Sequence, residues 1–480
     1  MAGTRGCLEA RGLQPAVMRY PLFAIALVVL PGSVAAEPPC PSGHNPAVAR
    51  LEAVVAAARA DEFGRIVREL RRGWAPGPDR RDALNEAIVN TGQWSVLSSG
   101  LAPERICVDG PTRAVGFYRN DLTGAVDRVR ITVADSAPHG IVELAVANAV
   151  RLQDRPAPGP SRARRIAELD SAVAALARRG AFSGVVLLAH RGRPLYTRSF
   201  GVSNERLRIP ITDSSQFNLA SLNKILTATA VMRLIERGQL SLDDSLGALL
   251  PAEFADSAAG GVRVKHLLSH TSGFGTYGPT RIFTPPGSAF AYSNYGFHLL
   301  GQIIEARTGL RFEDFLRLEI LGPLQMARTA RYEIKALSDL VPQGRYYPIP
   351  APDDRLALTP NKYLHIYPGG AMGGMFSTAQ DLLRFANALE AGRLVSPRTL
   401  DLMRTPKPEL GAPDYGFGVM RWKAPGVWGH SGRLPGADAD LEFYEGGYTA
   451  IVLANLDHVN EPILLLLRRL FHESRPRSAT

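Results

Sequence analysis

The chain has 480 residues, too many for one typical core, and its length points to two or three domains. Apolar residues make up 45% and charged residues 21%, the balance of an ordinary globular protein. The net charge of +10 rests on arginine, since lysine occurs only at 224, 265, 335, 362, 407 and 423. No segment joins a dense basic run to interleaved aromatics, so nothing specific supports nucleic-acid binding. The arginine excess reads first as a compositional habit and second as attraction to anionic surfaces or substrates.

Residues 1–36 read as a secretory signal. A basic start at Arg19 leads into an apolar run over 22–30, with small residues at Val34, Ala35 and Ala36 before the expected cleavage. Residues 1–17 fit no basic leader, which makes Met18 a candidate start. The run is too short for a stable membrane span, so the mature chain is expected to be secreted or periplasmic; an uncleaved anchor is the alternative. Removing the signal leaves Cys40 and Cys107. A bridge closing so long a loop would add roughly 3–5 kcal/mol, but spacing alone does not say whether the two Cα atoms approach.

Residues 37–155 read as a small α+β domain. Apolar spacing predicts helices over 46–74 and 80–90, then strands at 94–97, 106–108, 113–118, 126–133 and 141–146. That order resembles the cone-shaped, nuclear-transport-factor-2-like modules found ahead of some secreted serine hydrolases. Pro156-Ala157-Pro158-Gly159-Pro160 marks a stiff connector over 156–164. Beyond it come an amphipathic helix at 165–179 and a hairpin, 182–189 and 194–200. Strands at 427–430, 440–444 and 448–455 and a last helix over 461–471 should join that hairpin. The expected architecture for 165–480 is an antiparallel sheet built from both ends of the domain, flanked by helices and interrupted by a helical insert.

The most telling stretch is Phe217-Asn218-Leu219-Ala220-Ser221-Leu222-Asn223-Lys224, which runs into a predicted helix that Gly238 ends. If Ser221 opens that helix, Lys224 lies one turn on, on the same face. A serine hydroxyl is a poor nucleophile until a neighbour takes its proton, and a desolvated lysine can do so. Alone, a Ser-x-x-Lys pattern is weak. Here Tyr292-x-Asn294 and His430-Ser431-Gly432 follow it in order. Between them lie Leu267-Leu268-Ser269-His270-Thr271-Ser272-Gly273, Pro286-Gly287 and the glycine-rich 369–374.

Over about 165–475 these motifs resemble the class C β-lactamase and D-alanyl-D-alanine carboxypeptidase-like serine hydrolases. The resemblance implies that Ser221 attacks an acyl carbonyl, Lys224 helps remove its proton, and Tyr292 shuttles protons to the leaving group and the deacylating water. Asn294 would donate its amide to substrate, and the backbone N–H groups of Ser221 and Arg433 would form an oxyanion hole. β-Lactamases carry Lys-Thr-Gly where this chain has His430-Ser431-Gly432. Histidine there is closer to the D-aminopeptidase and esterase branches, and it offers a titratable hydrogen bonder in place of a fixed ammonium. Ser431 and Gly432 complete that substrate-binding motif, and the Arg433 side chain reads as a solvated rim residue or a substitute charge.

The implied function is a serine hydrolase acting through an acyl-enzyme on small esters, amides or D-amino-acid peptides. No cofactor and no metal are implied. A catalytically silent module that binds cell-wall peptides or a protein partner is the alternative. Three other patterns compete for attention. Gly429-His430-Ser431-Gly432-Arg433 falls one glycine short of a nucleophile elbow. His266 and His270 have zinc-ligand spacing but lack the accompanying glutamate, and read as a structural turn. Asp243, Asp244 and Asp381 suit capping or solvent-facing places.

Overall fold

The computed structural model describes residues 40–472, apart from 60–62, 121–125, 150–160, 205–206, 256, 258, 277–283, 333–344, 347–358, 361–368, 423–425, 457–458 and scattered positions between 78 and 100. The expected signal and most of the proline connector lie outside the described residues. The expected helix over 80–90 is only partly described.

Two helices open the described chain, α1 (Pro46–Arg59) and α2 (Phe63–Gly73). Four antiparallel strands follow in a simple meander: β1 (Ala102–Val108), β2 (Arg113–Arg119), β3 (Val126–Val133) and β4 (Ile141–Ala149). Alternation along β3 buries Val129, Ile131 and Val133 on one face, where they meet Leu51, Val54, Ile66 and Leu70 of the helices. Trp94 departs from the strand expected at 94–97 and is helical. Its indole donates to the buried Asp127 at 2.9 Å and meets Tyr118 edge-on, so the side chain serves as a core plug. Cys40 and Cys107 are both disulfide-bonded, and one residue on from each the Val108 N–H donates to the Pro41 carbonyl.

After α3 (Arg162–Arg178) comes the hairpin β5 (Gly184–His190) and β6 (Arg193–Phe200). The helix after the serine is α4 (Lys224–Glu236), followed by α5 (Asn294–Thr308) and α6 (Ala379–Glu390). The chain closes with β7 (Trp428–Leu434), β8 (Ala437–Tyr444), β9 (Tyr448–Ala454) and α7 (Glu461–Phe471). The main sheet runs Met420–Arg421, β7, β8, β9, β5, β6, all antiparallel and open at both edges. Both ends of the domain therefore build one sheet, as the strand pattern predicts.

Every position of β8 and β9 is buried, because both faces of the sheet are covered. Ile451 and Leu453 face α4, α5 and α6, while Ala450 and Val452 face α3 and α7 through Leu169, Val173, Leu464 and Phe471. Burying a side chain of that size contributes roughly 1.5–3 kcal/mol each, enough to fix the register. A one-residue slip would bring β8's carboxylates to the apolar face.

Candidate active site

Ser221 does not open α4. It sits in a 3-10 turn, Ala220–Asn223, and the α-helix starts at Lys224. The tighter turn still brings Lys224 Nζ to 2.9 Å from Ser221 Oγ. Ala220 just before the serine has φ +45°, a left-handed conformation that costs a non-glycine residue about 1–2 kcal/mol. The turn is held from outside: Asn218 Oδ1 accepts the Ala220 N–H, Met375 O accepts the Leu219 N–H, and the Gly374 N–H donates to Ala220 O. Gly373 lies so close that a Cβ there would stand 2.7 Å from the Ala220 carbonyl oxygen.

Lys224 is fully buried. Its Nζ donates to Asn294 Oδ1 at 2.7 Å and to the Met372 carbonyl, and lies 5.0 Å from the centre of the Tyr292 ring. Among the described residues no carboxylate pairs with it, and burial pulls its ammonium well below the usual lysine range. A neutral amine has two hydrogens and one lone pair. In that neutral form the Asn294 and Met372 oxygens would take the two hydrogens and leave the lone pair for the Ser221 hydroxyl. Asn294 turns its oxygen to Lys224 and so keeps its NH2 group for another acceptor. It is held in place by Ser293, which caps α5 by accepting the Gly296 N–H.

His430 and Gly432 project from β7 toward the serine, since they register with Leu441 and Ala439 on the face shared with α4. A Cβ on Gly432 would stand 2.7 Å from the Ser221 nitrogen and 2.1 Å from the Leu219 oxygen, so only glycine lets β7 approach the turn. His430 meets a different environment from the one expected of a titratable hydrogen bonder. Its ring is fully buried, Nδ1–H donates to the Ser431 carbonyl at 2.6 Å, and Nε2 accepts from the Tyr415 hydroxyl at 2.9 Å. Burial first, and the Lys224 charge second, bring its pKa down to about 3. Burial holds the Tyr415 phenol well above its ordinary value, so Tyr415 stays a donor.

Ser431 and Arg433 lie in the alternate register, opposite Asp440 and Asp438 on the α7 face. Arg433 stays exposed at the rim of the sheet, yet its guanidinium is committed to carboxylates. The Arg433 guanidinium lies 3.3 Å from Asp438, 3.9 Å from Asp440 and 3.8 Å from Glu461. The side chain keeps 35% of its surface exposed, and these three carboxylates outweigh its partial desolvation and push its pKa above the ordinary arginine value. Only the backbone of this pair is left to face the serine.

Three contributors escape the motif reading: the Met372 carbonyl, Tyr415 and His270. The first is a backbone atom in a loop whose glycines were the visible signal. Tyr415 has no motif around it. His270 looked like half of a metal pair, yet its ring lies 4.1 Å from Tyr292. His266 instead accepts the Arg263 N–H on its Nδ1. Asp381, expected at a capped or solvent-facing place, is buried and accepts from the Arg328 N–H and Thr329 Oγ1, while Asp243 pairs at the surface with Lys265.

Comparison with known proteins gives a consistent picture. The chain is 28% identical over 332 residues to penicillin-binding protein 4* of Bacillus subtilis, covering 61% of this chain and 72% of that one. It is 28% identical over 302 residues to esterase EstB of Burkholderia gladioli, covering 51% and 76%. The D-amino acid amidase of Ochrobactrum anthropi SV3 superposes with a TM-score of 0.52 at 25% identity, covering 64% of this chain and 97% of the amidase. The family model described as Beta-lactamase matches residues 169–472, well over half the chain, and the protein belongs to that family.

Proposed function

We propose that the protein is a serine hydrolase that turns over small uncharged esters or amides through an acyl-enzyme on Ser221. The observation that carries this reading is the environment of Lys224, a buried amine with no counter-charge among the described residues, whose two acceptor contacts would leave the lone pair of its neutral form to the Ser221 hydroxyl. Ser221 Oγ would add to the substrate carbonyl while its proton passes to Lys224 Nζ. The oxyanion would rest on the backbone N–H groups of Ser221 and Arg433, each such donor being worth about 3–4 kcal/mol in the barrier. Tyr292 would protonate the leaving group as the C–O or C–N bond breaks. The proton held by Lys224 would then restore the Tyr292 phenol; the freed amine would take a proton from water as the water attacks the ester, and would return it to Ser221 Oγ as the acid leaves.

The groups on β7 favour esters and amides over β-lactams. His430 is neutral, and the Arg433 side chain is already matched by three carboxylates on the other face of the sheet. Neither offers a settled cation to a substrate carboxylate. The esterase and the D-amino acid amidase among the relatives support the same class. The basic, apolar and small-residue run ending at Ala36 supports export, and among the described residues no helix is long and apolar enough to cross a membrane.

A fluorophosphonate probe and a panel of p-nitrophenyl esters, D-alanyl amides and nitrocefin test the proposal. Labelling and turnover of esters or amides, both abolished in Ser221→Ala, are the expected result. An unlabelled, inactive wild-type protein would instead mark a binding module.

A further inference from the structure

Two helix ends in this chain have the same backbone and different residues. After α4, Gly238 takes φ +69°, its N–H donates to Ile235 O and the next N–H, of Gln239, donates to Leu234 O. After the short helix Val264–Leu268, His270 takes φ +57°, its N–H donates to Leu267 O and the Thr271 N–H donates to His266 O. This pairing of bonds ends helices with a left-handed residue that is ordinarily glycine, because a Cβ is strained there. At position 270 the chain carries a histidine instead, and buries it completely. Its Nε2 has no hydrogen-bond partner, so the residue bears both a backbone and a desolvation cost.

What the side chain does with that position is specific. The His270 carbonyl accepts the Ala291 N–H at 2.8 Å, and its Nδ1 accepts the Ser293 N–H at 3.1 Å. These are the N–H groups of the two residues on either side of Tyr292. Between those bonds the imidazole lies against the Tyr292 ring, with centroids 4.1 Å apart and planes 34° apart. Phe297 and Tyr415 close around the other sides of the imidazole, at 5.0 and 4.8 Å. Because Nδ1 accepts, the ring is the neutral Nε2–H tautomer. Ser293 in turn caps the helix that begins with Asn294, the partner of Lys224.

We infer that His270 is a positioning residue for Tyr292, gripping the residue by both neighbouring N–H groups and by its ring so that the phenol stays beside Lys224. The inference rests on the proposed role of Tyr292 as proton donor to the leaving group, and the test keeps the two apart. Methyl butyrate and p-nitrophenyl butyrate give the same acyl-enzyme, but only methoxide needs a proton to leave. In Tyr292→Phe, kcat/KM on the methyl ester should fall by about 100-fold and on the nitrophenyl ester far less. His270→Leu removes the acceptor and the ring face, and should repeat that split at about tenfold against about twofold. His270→Asn keeps an acceptor at the Nδ1 position and a residue type that tolerates left-handed backbone, so it should lie between wild type and His270→Leu. In the Tyr292→Phe background, His270→Asn and His270→Leu should add almost nothing.

A general loss of folded protein lowers both esters alike, so equal losses would overturn the inference. So would losses that persist undiminished beside Tyr292→Phe. If His270→Leu does not fold, His270→Asn carries the same comparison. If Tyr292→Phe itself shows no split between the esters, the role of Tyr292 fails, whatever His270 does.

Discussion

The two faces of β7 and β8 both bury ionisable groups, and they treat them in opposite ways. On the serine side Lys224, His430 and His270 have no carboxylate paired with them among the described residues, and burial pulls all three below their ordinary values. On the α7 side Arg433 meets Asp438, Asp440 and Glu461, while Arg468 meets Glu442 and Glu461. There burial also opposes the charges, but the carboxylates outweigh it and hold both arginines above the ordinary value. The difference is one of partners, since Arg468 and Glu442 are buried as Lys224 is, although Arg433 reaches the surface. A buried base without a counter-charge becomes a proton acceptor, whereas one with a counter-charge becomes a strut.

The strongest way to break this contrast is Lys224→Met. Loss of the proton acceptor should lower kcat/KM by about 1,000-fold or more. Lys224→Arg should be as inactive, because a guanidinium cannot give up its proton. Stability should move the other way, with Lys224→Met melting higher than wild type at neutral pH. The folded wild type binds fewer protons at Lys224 than the unfolded chain between the depressed value and the ordinary lysine range. Its stability therefore climbs with pH across that window, and that share of the slope is missing in Lys224→Met. In the same way kcat/KM of the wild type should rise as pH climbs through the depressed Lys224 value. Ester kinetics and thermal melts over a pH series read both effects. An active Lys224→Met protein would mean that some other group takes the serine proton.

Much of this was legible beforehand, for reasons that differ by residue. The hairpin 184–200 and the strands after 427 show in the sequence because a sheet covered on both faces needs long apolar runs. Ser221, Lys224, Tyr292 and Asn294 show because proton transfer restricts residue type, and their order along the chain is a motif. The first turn misled, since a 3-10 turn and an α-helix both place residues three apart on one side. Arg433 was legible only in part, since it is exposed but ion-paired. Strand alternation sends its side chain to the α7 face, where Asp438 and Asp440, only five and seven residues on, receive it across the β7–β8 turn, and Glu461 comes from the distant α7. His270 was hidden by its likeness to a metal ligand. The left-handed end of Val264–Leu268 could have shown that an expected glycine was missing there. For residues 41–149 the helices and meander were readable, but their packing answers no chemical question and no role follows.

On the α7 side the pair to break is Glu442 with Arg468, both buried, whose Glu442 oxygen also accepts from the Tyr444 hydroxyl at 2.9 Å. Arg468→Met leaves a buried carboxylate without its cation and should cost roughly 3–5 kcal/mol in urea unfolding. Arg468→Met combined with Glu442→Leu should recover most of that loss, because neither charge is then stranded. The ester kcat/KM per folded molecule should stay at the wild-type value in both proteins. A drop in kcat/KM without loss of stability would show that the charged layer tunes the site after all, and would blur the division between the two faces.

The mildest test returns to the serine side, at the bond from Tyr415 to His430. Tyr415→Phe leaves a buried Nε2 without its donor and should cost about 1–3 kcal/mol at pH 7. With His430→Leu no orphan acceptor remains, so the double variant should cost less than the sum of the two singles. The histidine also sets a pH dependence. Its folded pKa, about 3, lies below the ordinary value, so the unfolded chain takes up a proton first as the solution is acidified. The stability tied to its neutral form is complete above about pH 6.5 and drains away as pH falls toward the folded value. His266 and His270 are depressed as well and carry their own share of that acid loss. His430→Leu should therefore flatten the fall between neutral pH and pH 4 in part, as measured by urea melts at each pH. An unchanged slope would mean that His430 titrates alike in the folded and unfolded chains, which a ring buried between Tyr415 and the Ser431 carbonyl has no means to do.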